Sequence, residues 1–192
     1  GDECLIPSLC WSTSLWPIVQ AGLIPKFVDV SLNTLNISID EIKKKITNKT
    51  KLIMAVHILG NSTNMDKLKK IVKKKKLYLI EDTCESLGSK YGNKFLGTFG
   101  DFGTYSFYYS HQITSGEGGM ITCNNKNDYN IINSLRAHGW DRGIKKNNKN
   151  SFNFINSGFN VRPSEISAAI GYSQFKRFNK FKKIRSKNRK KI

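Results

Sequence analysis

The chain has 192 residues, and its 32 Lys and Arg against 14 Asp and Glu give a formal net charge of +18. A hydrophobic content of 39% is typical of a globular protein with one sizeable core. No apolar run reaches the roughly 20 residues of a membrane helix and no signal-peptide pattern opens the chain, so we predict a cytoplasmic protein. Because it lacks an initial Met and stops within a basic helical stretch, we expect a fragment of a longer protein.

Strand and helix patterns alternate along the chain. The predicted strands cover residues 3–8, 25–30, 51–58, 77–82, 103–109 and 119–123. The predicted helices cover residues 11–22, 38–47, 64–75 and 128–139. Apolar strands that alternate with helices predict an α/β fold, with a mostly parallel central sheet and helices on both faces. Ligands of such sheets bind beyond the carboxyl ends of the strands.

Local signals mark the ends of several predicted helices. Gly22 is expected to end the first helix. Ser38 and Glu41 have the spacing of a capping box at the start of the second. The third helix is amphipathic, with its apolar side formed by Met65, Leu68, Ile71 and Val72. The polar, Asn-rich segment 143–158 is predicted to be a long loop.

The positive charge is compatible with more than one kind of partner. Lysines are spread over helix faces, as in residues 41–49 and 67–76, and no zinc pattern or recognition helix accompanies them. This distribution favours a solvated surface that attracts an anionic substrate such as a nucleotide diphosphate. A basic nucleic-acid-binding protein is the alternative from a different class.

The four cysteines and one of the histidines are predicted to have structural roles. Cys4, Cys10, Cys84 and Cys123 form no CxxC pair and join no His cluster, so we predict small buried hydrophobes in a reducing compartment and no metal site. His57 lies inside an apolar strand and is predicted to be a hydrogen-bonded core histidine.

Chemically distinctive residues follow the predicted strands. Trp11 follows the first strand, Glu81 and Asp82 end the fourth, and His111 comes directly after the fifth. A carboxylate at the end of a buried strand costs free energy unless a cation meets it. Asp82 could therefore pair with a protonated heterocycle such as pyridoxal phosphate (PLP), or it could be a helix N-cap or part of a surface turn.

Six blocks of sequence together resemble one family. They are residues 1–14, 25–38, 51–61, 79–91, 97–123 and 159–175, and include the motifs CWSTS, EDTCES, RPSE and the stretch SFYYSHQITSGEGG. In order and spacing they resemble the large domain of the nucleotide-sugar aminotransferase family (DegT/DnrJ/EryC/StrS type), which are fold type I PLP enzymes. The resemblance implies that residues 1–192 are part of a PLP-binding large domain, without the N-terminal phosphate-binding turn and the C-terminal small domain.

One position departs from that family. The lysine that forms the Schiff base with PLP in the aminotransferases corresponds to His111 here, and a histidine cannot form that bond. The exchange resembles the 3-dehydratase branch, in which His111 would be the acid and base. Gln112 stands where a second histidine often follows in that branch.

The resemblance also implies roles for other residues. Trp11 would stack on the PLP ring, although it could instead be a core aromatic. Asp82 would pair with the pyridine nitrogen, Glu85 would lie near the ring's 3-hydroxyl, and Ser106 would bind the phosphate. Asn160 would reach the phosphate of a PLP in the neighbouring subunit, which implies a homodimer. His138 and Arg142 would meet a substrate carboxylate.

The implied activity is dehydration of a nucleotide-linked 4-keto-6-deoxy sugar in 3,6-dideoxysugar biosynthesis. GDP-4-keto-6-deoxymannose would be the substrate, PLP and pyridoxamine phosphate the cofactor forms, and glutamate the amino donor. The CDP-sugar branch carries an iron–sulfur cluster whose cysteines follow the RAHG-like block, and no cysteine follows Cys123 here. A sugar 4-aminotransferase relative and a CDP-sugar 3-dehydrase stay open as alternatives.

Overall fold

The structure is a computed structural model that describes residues 1–142, 144 and 152–191. Much of the loop predicted over residues 143–158 therefore lies outside the described residues. Within its described part, Phe154 pairs with Trp140 in an isolated antiparallel bridge.

The described part of the chain contains eight strands and five α-helices. The strands are β1 (Glu3–Pro7), β2 (Ile24–Val28), β3 (Thr50–Val56), β4 (Tyr78–Asp82), β5 (Lys90–Tyr91), β6 (Lys94–Phe95), β7 (Phe102–Ser106) and β8 (Gly119–Cys123). The helices are α1 (Ser12–Gln20), α2 (Ile39–Lys45), α3 (Met65–Lys75), α4 (Lys126–Leu135) and α5 (Glu165–Arg189). A single 3₁₀ turn, Ile58–Gly60, follows β3.

The central sheet has six strands in the order β2-β1-β3-β4-β7-β8. Neighbouring strands from β2 to β7 run parallel, and β8 pairs antiparallel with β7. The mostly parallel sheet predicted from the sequence is thus confirmed. Its parallel strands all end at one edge, which is where the functional residues would have to meet.

Helices cover both faces of the sheet, as predicted. Alternate residues of a strand point to opposite faces, so Leu5 of β1 belongs to one core cluster and Ile6 to the other. The first cluster contains Ile42 of α2 and Leu68 of α3, and the second contains Ile18 of α1. The apolar side predicted for α3 is confirmed, since Met65 and Leu68 are fully buried and Ile71 and Val72 pack against the same cluster.

Several boundaries agree with the local signals. Gly22 follows α1 with a positive φ of 74°, as expected for the residue after a helix end. The Ser38 hydroxyl accepts a hydrogen bond from the Glu41 N–H at 3.4 Å. The second half of the predicted capping box is replaced by a surface ion pair, because the Glu41 carboxylate lies 2.6 Å from the Lys44 ammonium.

Two elements end earlier than predicted. β7 stops at Ser106 instead of residue 109, because the chain turns there and the His111 N–H donates to the Tyr108 carbonyl. α4 stops at Leu135 instead of residue 139, because His138 and Gly139 adopt left-handed conformations with φ of 63° and 84°.

Candidate active site

Asp82 lies at the carboxyl end of β4, between β3 and β7, where it pairs with Val56 and Thr104. Its Oδ1 accepts the Cys84 N–H at 3.1 Å, and its Oδ2 accepts the Ser14 hydroxyl at 2.6 Å. The bond to Cys84 forms a local turn and no helix starts there, so the N-cap interpretation of Asp82 is wrong. A carboxylate can accept about four hydrogen bonds, so capacity remains for a ligand.

Trp11 immediately precedes α1 and is exposed over 74% of its surface. The interpretation as a core aromatic is therefore wrong, and the ring is accessible for stacking. Its carbonyl accepts the Ser14 N–H at 3.0 Å, which places Trp11 on the same helical turn as the residue that bonds Asp82. Ser14 was not predicted from the sequence, because nothing in the motif CWSTS distinguishes its hydroxyl from those of Ser12 and Thr13.

Glu85 follows Asp82 by three residues and is exposed. Its carboxylate accepts the Leu59 N–H at 2.9 Å, and its carbonyl accepts the Gln112 side-chain amide. Leu59 adopts a left-handed conformation with φ of 51°, which a leucine rarely does. These contacts bring Glu85 beside the segment that carries His111.

Ser106 ends β7, and its hydroxyl accepts the Tyr108 N–H at 3.2 Å. Five residues later, His111 is half-buried with its ring centroid 6.2 Å from that of Tyr108. Both residues follow Thr104, which pairs with Asp82 across β4 and β7. The structure thus brings together five predicted residues at one edge of the sheet: Trp11, Asp82, Glu85, Ser106 and His111.

The other predicted residues belong to a separate segment after α4. Ala137 and Asn160 form an isolated bridge, and the His138 N–H donates to the Phe159 carbonyl at 2.8 Å. The Arg142 guanidinium lies 5.0 Å from the centre of the Trp140 ring. The described contacts of His138, Arg142 and Asn160 are made within this segment, so their proposed roles toward substrate and phosphate stay predictions.

Glu81, the neighbour of Asp82, points into the core and is fully buried. Its carboxylate accepts hydrogen bonds from His57 Nε2 at 3.0 Å and from the N–H groups of Gly97, Phe99 and Gly100 at 2.6–2.8 Å. Burial raises the pKa of this carboxyl, but the His57 and backbone hydrogen bonds outweigh burial and hold the pKa below its ordinary value.

His57 is the core histidine predicted from the sequence, with only 1% of its surface exposed. The Thr63 N–H lies 3.4 Å from Nδ1, so that atom is the acceptor and Nε2 carries the proton donated to Glu81. Glu81 and His57 therefore support the fold beneath the site, and Asp82 alone of the two strand-end carboxylates faces it.

Two thiols flank Asp82. Burial and the nearby Asp82 charge raise the pKa of Cys84 to about 12, and the same two causes raise the pKa of Cys10. All four cysteines are unpaired thiols. The prediction that they are buried is confirmed for Cys4, whereas Cys10, Cys84 and Cys123 are only partly buried.

Within residues 1–142, 144 and 152–191, no group of three His, Cys, Asp or Glu side chains is placed to hold a metal ion. None of the helices described is both long and apolar enough to span a membrane.

The whole chain, residues 1–192, matches the DegT/DnrJ/EryC1/StrS aminotransferase family and belongs to it. It is 44% identical to the GDP-4-keto-6-deoxy-D-mannose 3-dehydratase of Escherichia coli O55:H7, over 98% of this chain and 51% of that protein.

Solved structures agree with this assignment. The E. coli GDP-4-keto-6-deoxy-D-mannose-3-dehydratase with bound hydrated PLP superposes with a TM-score of 0.92 at 43% identity, over 99% of this chain and 52% of that one. A GDP-4-keto-6-deoxymannose-3-dehydratase with a trapped PLP-glutamate geminal diamine gives a TM-score of 0.87 at 43% identity, over 93% and 49%. The chain spans about half the length of the curated relatives it matches.

Proposed function

We propose that this chain is the cofactor-binding part of a PLP- and glutamate-dependent enzyme that removes the 3-hydroxyl of GDP-4-keto-6-deoxymannose. The observation that carries the proposal is His111, which follows β7 at the sheet edge shared with Asp82 and Trp11. The similarity to a dehydratase with bound PLP supports the same reading.

The residues present fit a PLP-type cofactor. Asp82 is a carboxylate that can still accept a hydrogen bond from a pyridinium N–H, and Trp11 offers an exposed ring face. The Ser106 hydroxyl lies at the same edge of the sheet and would bind the cofactor phosphate. When bound, the cofactor supplies an amine for the sugar ketone and an electron sink that makes the neighbouring 3-hydroxyl labile.

His111 moves the proton in this proposal. An imidazole can accept a proton from carbon and donate one to a departing hydroxyl near neutral pH, so one residue covers both steps and the hydroxyl leaves as water. In this proposal Asp82 would keep the ring nitrogen protonated, and Glu85 would meet the ring's 3-hydroxyl. A lysine at position 111 would favour amination, which is why this position separates the dehydratase from the aminotransferase alternative.

The proposed overall reaction is balanced. The sugar loses its 3-hydroxyl oxygen and is reduced by two electrons, and glutamate is oxidised to 2-oxoglutarate with release of ammonia. Glutamate is therefore consumed once per sugar, and the product keeps its 4-keto group.

We infer a homodimer in which Asn160 reaches the partner's cofactor phosphate. The helix α5 and the segment before it present exposed large apolar side chains, including Val161, Ile166 and Phe175, and such surfaces mark protein contacts. The cytoplasmic location remains a prediction.

The test uses protein expressed from the complete gene and supplied with PLP, glutamate and GDP-4-keto-6-deoxymannose. We expect equal amounts of 2-oxoglutarate, ammonia and 3-deoxy sugar. His111→Asn should keep cofactor uptake but lower turnover at least about 100-fold, the usual contribution of a general acid–base group. Lys74→Asn on the exposed part of α3 is the control and should match the wild type.

The alternatives predict different results. An aminated sugar that keeps its 3-hydroxyl would establish the aminotransferase, and turnover of only the CDP-linked sugar would establish the CDP-sugar 3-dehydrase. Salt-sensitive binding to random DNA without PLP uptake would favour the nucleic-acid-binding protein. Full turnover by His111→Asn would show that another residue moves the proton.

A further inference from the structure

The first turn of α1 contacts the Asp82 carboxylate through one buried side chain. Ser14 is only 6% exposed, and its hydroxyl lies 2.6 Å from Asp82 Oδ2. Because an ionised carboxylate can only accept, Ser14 is the donor, and the length is in the range of charge-assisted O–H···O bonds.

The two oxygens of Asp82 are held from different directions. The Cys84 N–H, which bonds Oδ1, belongs to the turn that directly follows β4. Ser14, which bonds Oδ2, is 68 residues away in sequence and belongs to a helix on one face of the sheet. Without the Ser14 hydroxyl, only the local bond would orient the carboxylate plane, and the side chain could rotate about the bond that carries it.

Ser14 also connects Asp82 to Trp11. Its backbone N–H donates to the Trp11 carbonyl at 3.0 Å, so one residue bonds both the proposed ring-nitrogen partner and the proposed stacking residue. The first turn of α1 contains no acidic side chain, and Asp82 supplies the negative charge that a helix N-terminus favours. These contacts fix the position of Asp82, the proposed partner of the ring nitrogen, relative to Trp11, the proposed stacking residue.

We propose that Ser14 is a positioning residue for the cofactor, whose hydroxyl fixes the Asp82 carboxylate toward the ring nitrogen and ties it to the Trp11 turn. This inference rests on the proposed function, since it assumes that Asp82 meets a pyridine nitrogen.

The main test is a double-mutant cycle of PLP affinity, measured by absorbance titration on protein from the complete gene. Ser14→Ala should weaken PLP binding about tenfold, as expected for loss of a hydrogen bond to a charged group. In an Asp82→Asn background the same change should alter the affinity less than twofold, because Ser14 acts through Asp82. Ser14→Thr keeps the hydroxyl and should bind PLP within about threefold of the wild type.

A second measurement does not depend on the Asp82 variant. The ¹⁵N shift of ring-labelled PLP reports whether the bound ring nitrogen carries a proton. We expect Ser14→Ala to lose that proton at lower pH than the wild type, and Thr13→Ala, an exposed change on the same turn, to leave the titration unchanged.

The outcomes separate the two proposals. The positioning role would be overturned if Ser14→Ala weakened PLP binding equally in the wild-type and Asp82→Asn backgrounds, or if it left the ring-nitrogen titration unchanged. Either result would show that Ser14 contributes only to the packing of α1. A wild-type protein that takes up no PLP would overturn the proposed function itself.

Discussion

Replacing Glu81 by Gln tests the buried network beneath the site. The four donors that meet the Glu81 carboxylate are His57 Nε2 and the N–H groups of Gly97, Phe99 and Gly100. A glutamine of the same shape has one acceptor oxygen and one NH₂ group, so its NH₂ must face two of these donors. We therefore expect Glu81→Gln to destabilise the fold without changing the volume of the core.

The magnitude follows from the count of donors. Each buried donor left without an acceptor costs about 1–3 kcal/mol, so two of them cost about 2–6 kcal/mol. This is a large part of the roughly 5–15 kcal/mol that stabilises a typical domain. The measurement is urea unfolding followed by tryptophan fluorescence, with hydrogen exchange of residues 96–101 as a local readout. Glu41→Gln removes only a surface ion pair and should cost less than about 1 kcal/mol.

The pH dependence has a definite sign. The pKa of Glu81 in the folded protein lies below its ordinary value of 4.5. Its stabilisation is therefore complete above about pH 4.5 and is lost as the pH falls through the folded-state pKa. Glu81→Gln should lack this part of the acid sensitivity. Wild-type stability in the variant, with the same acid profile and the same protection of residues 96–101, would refute the network described here.

Two further changes test the core and the segment after α4. Leu68→Ala empties a fully buried position of α3 and should lower the free energy of unfolding by about 2–5 kcal/mol, whereas the exposed Lys69→Ala should have little effect; similar urea midpoints for both would contradict the core assignment. Gly139→Ala adds a Cβ 1.7 Å from the Asn156 carbonyl oxygen at a φ of 84°, so exchange near residues 134–142 should rise. Gly92 also has a positive φ but has open space around it, so Gly92→Ala should lower the free energy of unfolding only by the roughly 1–3 kcal/mol of left-handed strain. If Gly92→Ala and Gly139→Ala lowered the free energy of unfolding equally, the Asn156 contact would be unimportant.

Patterns of single segments were enough to predict the six strands of the central sheet and the helices α1 to α4. Continuous apolar strands that alternate with helices predicted a parallel sheet covered on both faces, because only burial on both sides suits such strands. The helix starts at Ser38 and Asn64 depend on hydrogen bonds within three residues, so they are local properties of the chain. The bend at His138 depends on another segment, because the His138 N–H donates to the Phe159 carbonyl, and the predicted end of α4 was wrong there.

The same distinction applies to the site. The sequence alone determined that chemically distinctive residues follow the strands, and it singled out His111 by its place after β7. Only the tertiary structure decided that Glu81 supports the core while the adjacent Asp82 faces the site, because successive residues of a strand point to opposite faces. Ser14 became visible for the same reason: its bond to Asp82 joins residues 68 positions apart, and no local pattern records a contact that folding alone creates.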